Sequence, residues 1–174
     1  KSNNTDIEYI EKILTEVLKE KIVFNIDASI GTRLNFLSDD KYVMAIGNAE
    51  TTKSNSSISG DSILNIRLKD GKYLVAISDG MGSGKDARKS SDKALKMLEN
   101  LLLSGFDKKT SLELINSSLI NQNEEIFATL DIAIIDLYTG NIEFIKSGAC
   151  PTYIKNGNKV QIIKANSLPA GIIN

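Results

Sequence analysis

Residues 130–138 (LDIAIIDLY) constrain this chain more than any other stretch. Apolar side chains fall on both alternating faces, so as a strand the segment must run inside a sheet that is covered on each side. Two helical stripes precede it and can provide cover: Ala94, Leu95, Leu98, Leu101 and Leu102 within 87–103, then Leu112, Ile115 and Leu119 within 109–121. Gly105 suits the stop of the first helix. Segments of strand character surround them at 22–30, 42–46, 62–68, 73–78, 142–145, 152–155 and 159–164. Asp70-Gly71, residues 138–141 and Asn156-Gly157 read as hairpin turns, and 51–57 as an exposed loop. An amphipathic helix over 5–20 opens the chain, with Thr5 as its N-cap and Ile10, Ile13, Leu14, Val17 and Leu18 as its stripe. This order predicts an α+β domain with helices packed on antiparallel sheet, and 174 residues suit one such domain.

Composition then removes several kinds of chemistry. The chain has no histidine, so Ser-His-Asp and Cys-His pairs cannot form and the common zinc sites are disfavoured. Its single cysteine, Cys150, permits no internal disulfide; with nothing basic beside it, it is expected to be a small buried residue. A formal charge of −1 implies no basic face, so nucleic acid is not an expected partner. No apolar run reaches the roughly 20 residues that span a bilayer. Hydrolytic chemistry here would have to use carboxylates, lysine or bound metal.

The informative stretch is ISDGMGSGKD at 77–86. A buried strand is expected to end at Ser78 and carry Asp79 at its tip, followed by Gly80, Gly82 and Gly84. A carboxylate fixed there is a good ligand for a hard cation, and the adjacent glycine lets a backbone carbonyl approach the same ion. The bland alternative is a tight turn with Asp79 as a helix cap. A phosphate-binding P-loop is a third reading, but only three residues separate Gly80 from Gly84, and Asp86 follows Lys85 where Ser or Thr is required. A second acid, Asp61 in SGDS at 59–62, opens the strand before. If strands 62–68 and 73–78 pair as a hairpin, Asp61 and Asp79 lie at the same end of the sheet. Converging carboxylates of this kind suit a two-metal hydrolase. Asp131 is expected to be structural, Asp86, Asp92 and Lys93 to be solvated helix-face charges, and Glu124-Glu125 to lie in a loop.

In order along the chain, SGDS at 59–62 and AISDGMGSG at 76–84 resemble the paired acidic motifs of bacterial PPM (protein phosphatase 2C-like) phosphatases. ARKS at 87–90, GFD at 105–107, FATLD at 127–131, DLYTG at 136–140 and SLPAG at 167–171 match the sporulation phosphatases of that family. The resemblance implies a PPM-type α-β-β-α sandwich and a metal-dependent protein serine/threonine phosphatase. It implies that Asp79 bridges two Mn²⁺ or Mg²⁺ ions, that Gly80 lends its carbonyl to one, and that Asp61 acts at or near them. The two middle helices, about 86–122, would switch the enzyme by shifting the glycine loop. The implied substrate is a phosphorylated anti-sigma factor antagonist protein. The implied location is the cytoplasmic side of the asymmetric septum, where a membrane segment and the cell-division machinery would hold the parent protein.

Two departures shape the expectations. GACP at 148–151 stands where many members have Gly-Asp-Ser-Arg, so an accessory metal site is expected to be absent. The family's second Ser-Asp-Gly motif and final aspartate would follow Asn174. Residues 39–174 are therefore expected to form a partial phosphatase domain, incomplete at its C-terminus, inactive alone and prone to self-association. Residues 1–38, a helix and strand, would be a regulatory linker. The rival reading is a non-catalytic interaction module that retains the fold.

Overall fold

The computed structural model describes residues 4–30, 33–52, 57–68, 71–120 and 127–172. Its centre is an antiparallel sheet of order β3-β4-β5-β6, formed by β3 (Asp61–Arg67), β4 (Lys72–Asp79), β5 (Leu130–Asp136) and β6 (Ile142–Ser147). Helices α2 (Gly84–Leu103) and α3 (Lys108–Ile120) lie between β4 and β5 in the chain and pack on one face of that sheet. Leu74 of β4, Leu98 of α2, Ile115 and Leu119 of α3, and Leu130 and Ile132 of β5 are the large side chains of the core. Each contributes about 1.5–3 kcal/mol by leaving water.

As expected of residues 130–138, β5 is internal, hydrogen-bonded to β4 on one side and β6 on the other. Cover is uneven: Leu130 and Ile132 are buried beneath the helices, while Asp131, Ala133 and Ile135 on the opposite face are half-buried. On that face Lys146 of β6 pairs with Asp131 at 2.5 Å, and Thr152 donates to the same carboxylate at 2.9 Å. The structural role expected of Asp131 is thus to neutralise a lysine whose side chain is only 2% exposed. Asp131→Ala should cost about 3 kcal/mol, because it strands a buried ammonium. Asp131→Ala/Lys146→Met should recover most of that loss in a thermal melt. A single variant melting with the wild type would refute this role.

Helix α2 stops in a glycine motif: Gly105 has φ +92°, its N–H donates to Leu102 O, and Phe106 N–H donates to Leu101 O. Helix α3 starts on Asp107, which accepts from the Thr110 N–H at 3.0 Å and from the Thr110 hydroxyl at 2.6 Å. The Thr110 hydroxyl first, then its N–H, holds the Asp107 carboxyl below its ordinary range.

Helix α1 (Asn4–Leu18) and the hairpin of β1 (Ile22–Ile30) with β2 (Arg33–Ser38) form a small separate layer. Thr15 and Glu11 of α1 accept the backbone N–H groups of Ile22 and Phe24 in β1. Thr5, expected as an N-cap, lies within α1, and β2 has no counterpart in the sequence reading. Another hairpin joins β7 (Thr152–Asn156) to β8 (Lys159–Ile163), turning at Gly157 with φ +58°.

Two expectations are corrected. Residues 42–46 form no strand: Lys41 and Tyr42 donate their N–H groups to Leu137 O, the Tyr42 ring covers Gly140, and Val43 is fully exposed. Cys150 is exposed, set in the turn between β6 and β7 rather than in the core. Asp70 of the expected Asp70-Gly71 turn, part of the 51–57 loop and Glu124-Glu125 lie outside the described residues. Among the described residues no helix is long and apolar enough to cross a membrane.

Candidate metal centre

Antiparallel pairing of β3 with β4 sets Asp61 directly opposite Asp79 in the register. Both acids stand at one end of the sheet, on the wall of a cleft of about 440 Å³. The cleft is also lined by Thr51, residues 58–60, the glycine turn 80–84, residues 127–129 and Pro169.

Each acid is held by its own partners. Ser59 donates its hydroxyl to Asp61 Oδ2 at 3.1 Å and accepts the Asp61 N–H at 3.2 Å, a local loop closed within three residues. The Asp79 backbone is clamped by a residue 50 positions away: its N–H donates to Thr129 Oγ1 at 2.9 Å, and its carbonyl accepts the Thr129 N–H at 2.9 Å. Pairing then continues past the strand end, through Gly80 N–H to Gly60 O at 3.3 Å and Met81 N–H to Phe127 O at 3.0 Å.

The glycines are there because helix α2 presses on the turns. A Cβ at Gly80 would lie 1.8 Å from the Ala87 carbonyl oxygen, and one at Gly60 would lie 2.8 Å from the Ala87 Cβ. Gly82 and Gly84 take φ of +95° and +66°, which lets the chain turn from the strand end into α2 within five residues.

The donor chemistry of this hollow fits a hard divalent cation. From the position a Gly60 Cβ would occupy, the Gly80 carbonyl oxygen is 3.7 Å away and Asp79 Oδ1 is 3.8 Å away. Asp61, Asp79 and Gly80 all line the cleft, and carboxylate and carbonyl oxygens of this kind are the donors that magnesium, calcium or manganese prefers. Among the described residues no group of three or more His, Cys, Asp or Glu side chains collects, and Asp61 and Asp79 are the carboxylates that line the cleft there. Asp86 falls in the first turn of α2, where a bound phosphate would need positive charge, and this weakens the P-loop reading. Asp92 is exposed on its helix face, as expected of a solvated charge, and also accepts from Ser62 and Arg88.

Sequence reasoning singled out Asp61, Asp79 and Gly80, and the structure brings all three together. It passed over Thr129 and Ser59 as individual residues, although both stand inside the quoted motifs FATLD and SGDS. Gly60 stands in the same SGDS motif, whereas Ser91 of α2, whose hydroxyl donates to the Gly60 carbonyl, carries no local signal.

A family model described as stage II sporulation protein E (SpoIIE) matches residues 69–174. The chain is 40% identical over 170 residues to stage II sporulation protein E of Priestia megaterium, covering 94% of this chain and 29% of that protein. It is 37% identical over 171 residues to the protein of the same name from Bacillus subtilis (strain 168), covering 95% of this chain and 21% of that one. The chain thus spans less than a third of the curated relatives it matches. Among solved structures it is similar to the PP2C phosphatase domain and regulatory-domain fragment of the cell fate determinant SpoIIE from Bacillus subtilis. That match has a TM-score of 0.76 and 34% identity, and covers 100% of this chain and 52% of that one.

Proposed function

Since the chain belongs to the stage II sporulation protein E family, whose phosphatase domain is of the PP2C type, we propose that it carries the Asp61–Asp79 part of the metal site of a protein serine/threonine phosphatase. The observation that carries this reading is the direct opposition of Asp61 and Asp79 across β3 and β4 beside the Gly80 turn. Asp79, Asp61 and the Gly80 carbonyl would hold Mn²⁺ or Mg²⁺. Such ions, when bound, supply Lewis-acid charge that activates water and neutralises phosphoryl oxygens. The protein's own part is to fix the donors. Ser59 aims the Asp61 carboxylate, Thr129 clamps the Asp79 backbone, and α2 holds the glycine turn against the strand ends.

The substrate we assign is a phosphorylated anti-sigma factor antagonist, met at the cytoplasmic side of the asymmetric septum. The parent protein would be held there by a membrane segment and the cell-division machinery. The full-length protein should release phosphate from such a phosphoserine protein with Mn²⁺ alone and lose that activity on chelation with EDTA. Turnover that survives EDTA, or that requires ATP or GTP, would overturn the assignment.

A further inference from the structure

Asp61 is flanked in the chain by two residues that are both tied to helix α2. On its N-terminal side, the Gly60 carbonyl receives the Ser91 hydroxyl at 2.7 Å. On its C-terminal side, Ser62 Oγ lies 2.6 Å from Ser91 Oγ and donates to Asp92 Oδ1 at 2.5 Å. Ser91 is 0% and Ser62 3% exposed, so neither hydroxyl can exchange these partners for water. With Ser62 donating to Asp92, the Ser91 proton can go to Ser62 Oγ, to the Gly60 carbonyl or to Arg88 O of its own helix, and the two shorter of these contacts tie α2 to the Asp61 turn.

The neighbouring serine shows that this is not a helix habit. Ser90, also buried, bonds the Asp86 carbonyl of its own helix. Ser91 reaches back to Arg88 O at 3.0 Å as well, yet its shorter contacts lead outward to Gly60 and Ser62. The chain of contacts goes on to the rim of the cleft. Asp92 Oδ1 also receives Arg88 Nε at 3.0 Å, and Arg88 reaches Glu50 at 3.1 Å, next to the cleft-lining Thr51.

We infer that Ser91 is a positioning residue for Asp61: through Gly60 and Ser62 it sets where that carboxylate stands toward a divalent cation. Its part for Asp61 matches that of Thr129 for Asp79, with the difference that Ser91 rides on a helix. The inference rests on the metal reading of Asp61 and Asp79 above.

The test is Mn²⁺ binding to the full-length protein, followed by calorimetry and electron paramagnetic resonance, with no substrate present. Ser91→Ala should weaken Mn²⁺ binding roughly fivefold to tenfold, the loss of about one buried hydrogen bond from the bound state. Ser62→Ala should weaken it similarly, and the double variant should lose less than the product of the two, because one chain is cut twice. Ser90→Ala, which removes a neighbouring, largely buried hydroxyl bonded only within its own helix, should leave the Mn²⁺ affinity unchanged. Should Ser91→Ala fail to fold, Ser62→Ala carries the same expectation. Wild-type affinity in both Ser91→Ala and Ser62→Ala, or an equal loss in Ser90→Ala, overturns the inference and leaves the metal reading standing. A wild-type protein that binds no Mn²⁺ overturns the metal reading and this inference with it.

Discussion

Asp79→Asn in the full-length protein is expected to reduce phosphatase turnover by more than about a hundredfold while leaving the thermal melt unchanged. Removing outer partners of a metal ligand typically costs about 10–100-fold in affinity or activity, and loss of a ligand's charge should exceed that. The fold should tolerate the change because Asp79 is placed by its backbone. Its N–H and carbonyl are both bonded to Thr129, and its side chain is exposed at the strand end. The amide keeps the shape of the carboxylate, loses its charge and exchanges one acceptor oxygen for an N–H donor. Turnover above about a tenth of the wild-type rate at saturating Mn²⁺ would mean that Asp79 is not a shared ligand.

Gly80→Ala should have the largest effect on structure. The added methyl would stand 1.8 Å from the carbonyl oxygen of Ala87, 2.6 Å from its carbonyl carbon and 3.0 Å from its Cα. All three are backbone atoms of α2, so no rotamer change can relieve the overlap; the helix or the strand end must move. Overpacking of this kind costs about 3 kcal/mol or more, a fall of roughly 6–12 °C in melting temperature for a domain of this size. Gly47→Ala is the control, since nothing lies within 4 Å of its would-be Cβ. A Gly80→Ala protein that melts within about 2 °C of that control would show that α2 does not press on the turn as described.

Local pattern made much of the frame legible. Helices α2 and α3 and hairpins β3–β4 and β7–β8 follow from apolar periodicity bounded by turn residues, and their ends were readable within a residue or two, except that α2 starts at Gly84, three residues before the expected Ala87. The strand character of residues 42–46 misled, because Lys41 and Tyr42 are bonded to Leu137 O and the Tyr42 ring lies against Gly140, while Val43 is left exposed with no strand to pair with. Cys150 misled for a related reason: small size suggests burial, but its place is set by the turn it occupies.

The candidate site divides in the same way. By itself the sequence determined that two acids, each beside glycine, sit at the start and the end of consecutive strands. Antiparallel pairing over so short a connection puts Asp61 and Asp79 at one sheet end with no help from the rest of the chain. Only the tertiary structure decided what holds them there. Thr129 arrives 50 residues later, just before β5, and Ser91 arrives on a helix seated by the buried contacts of Leu95 and Leu98. A hydrogen bond between distant segments depends on how whole elements pack, and neither residue spacing nor propensity encodes that placement locally. The same packing makes Gly60 and Gly80 necessary, because the space a side chain would need there is already filled by α2.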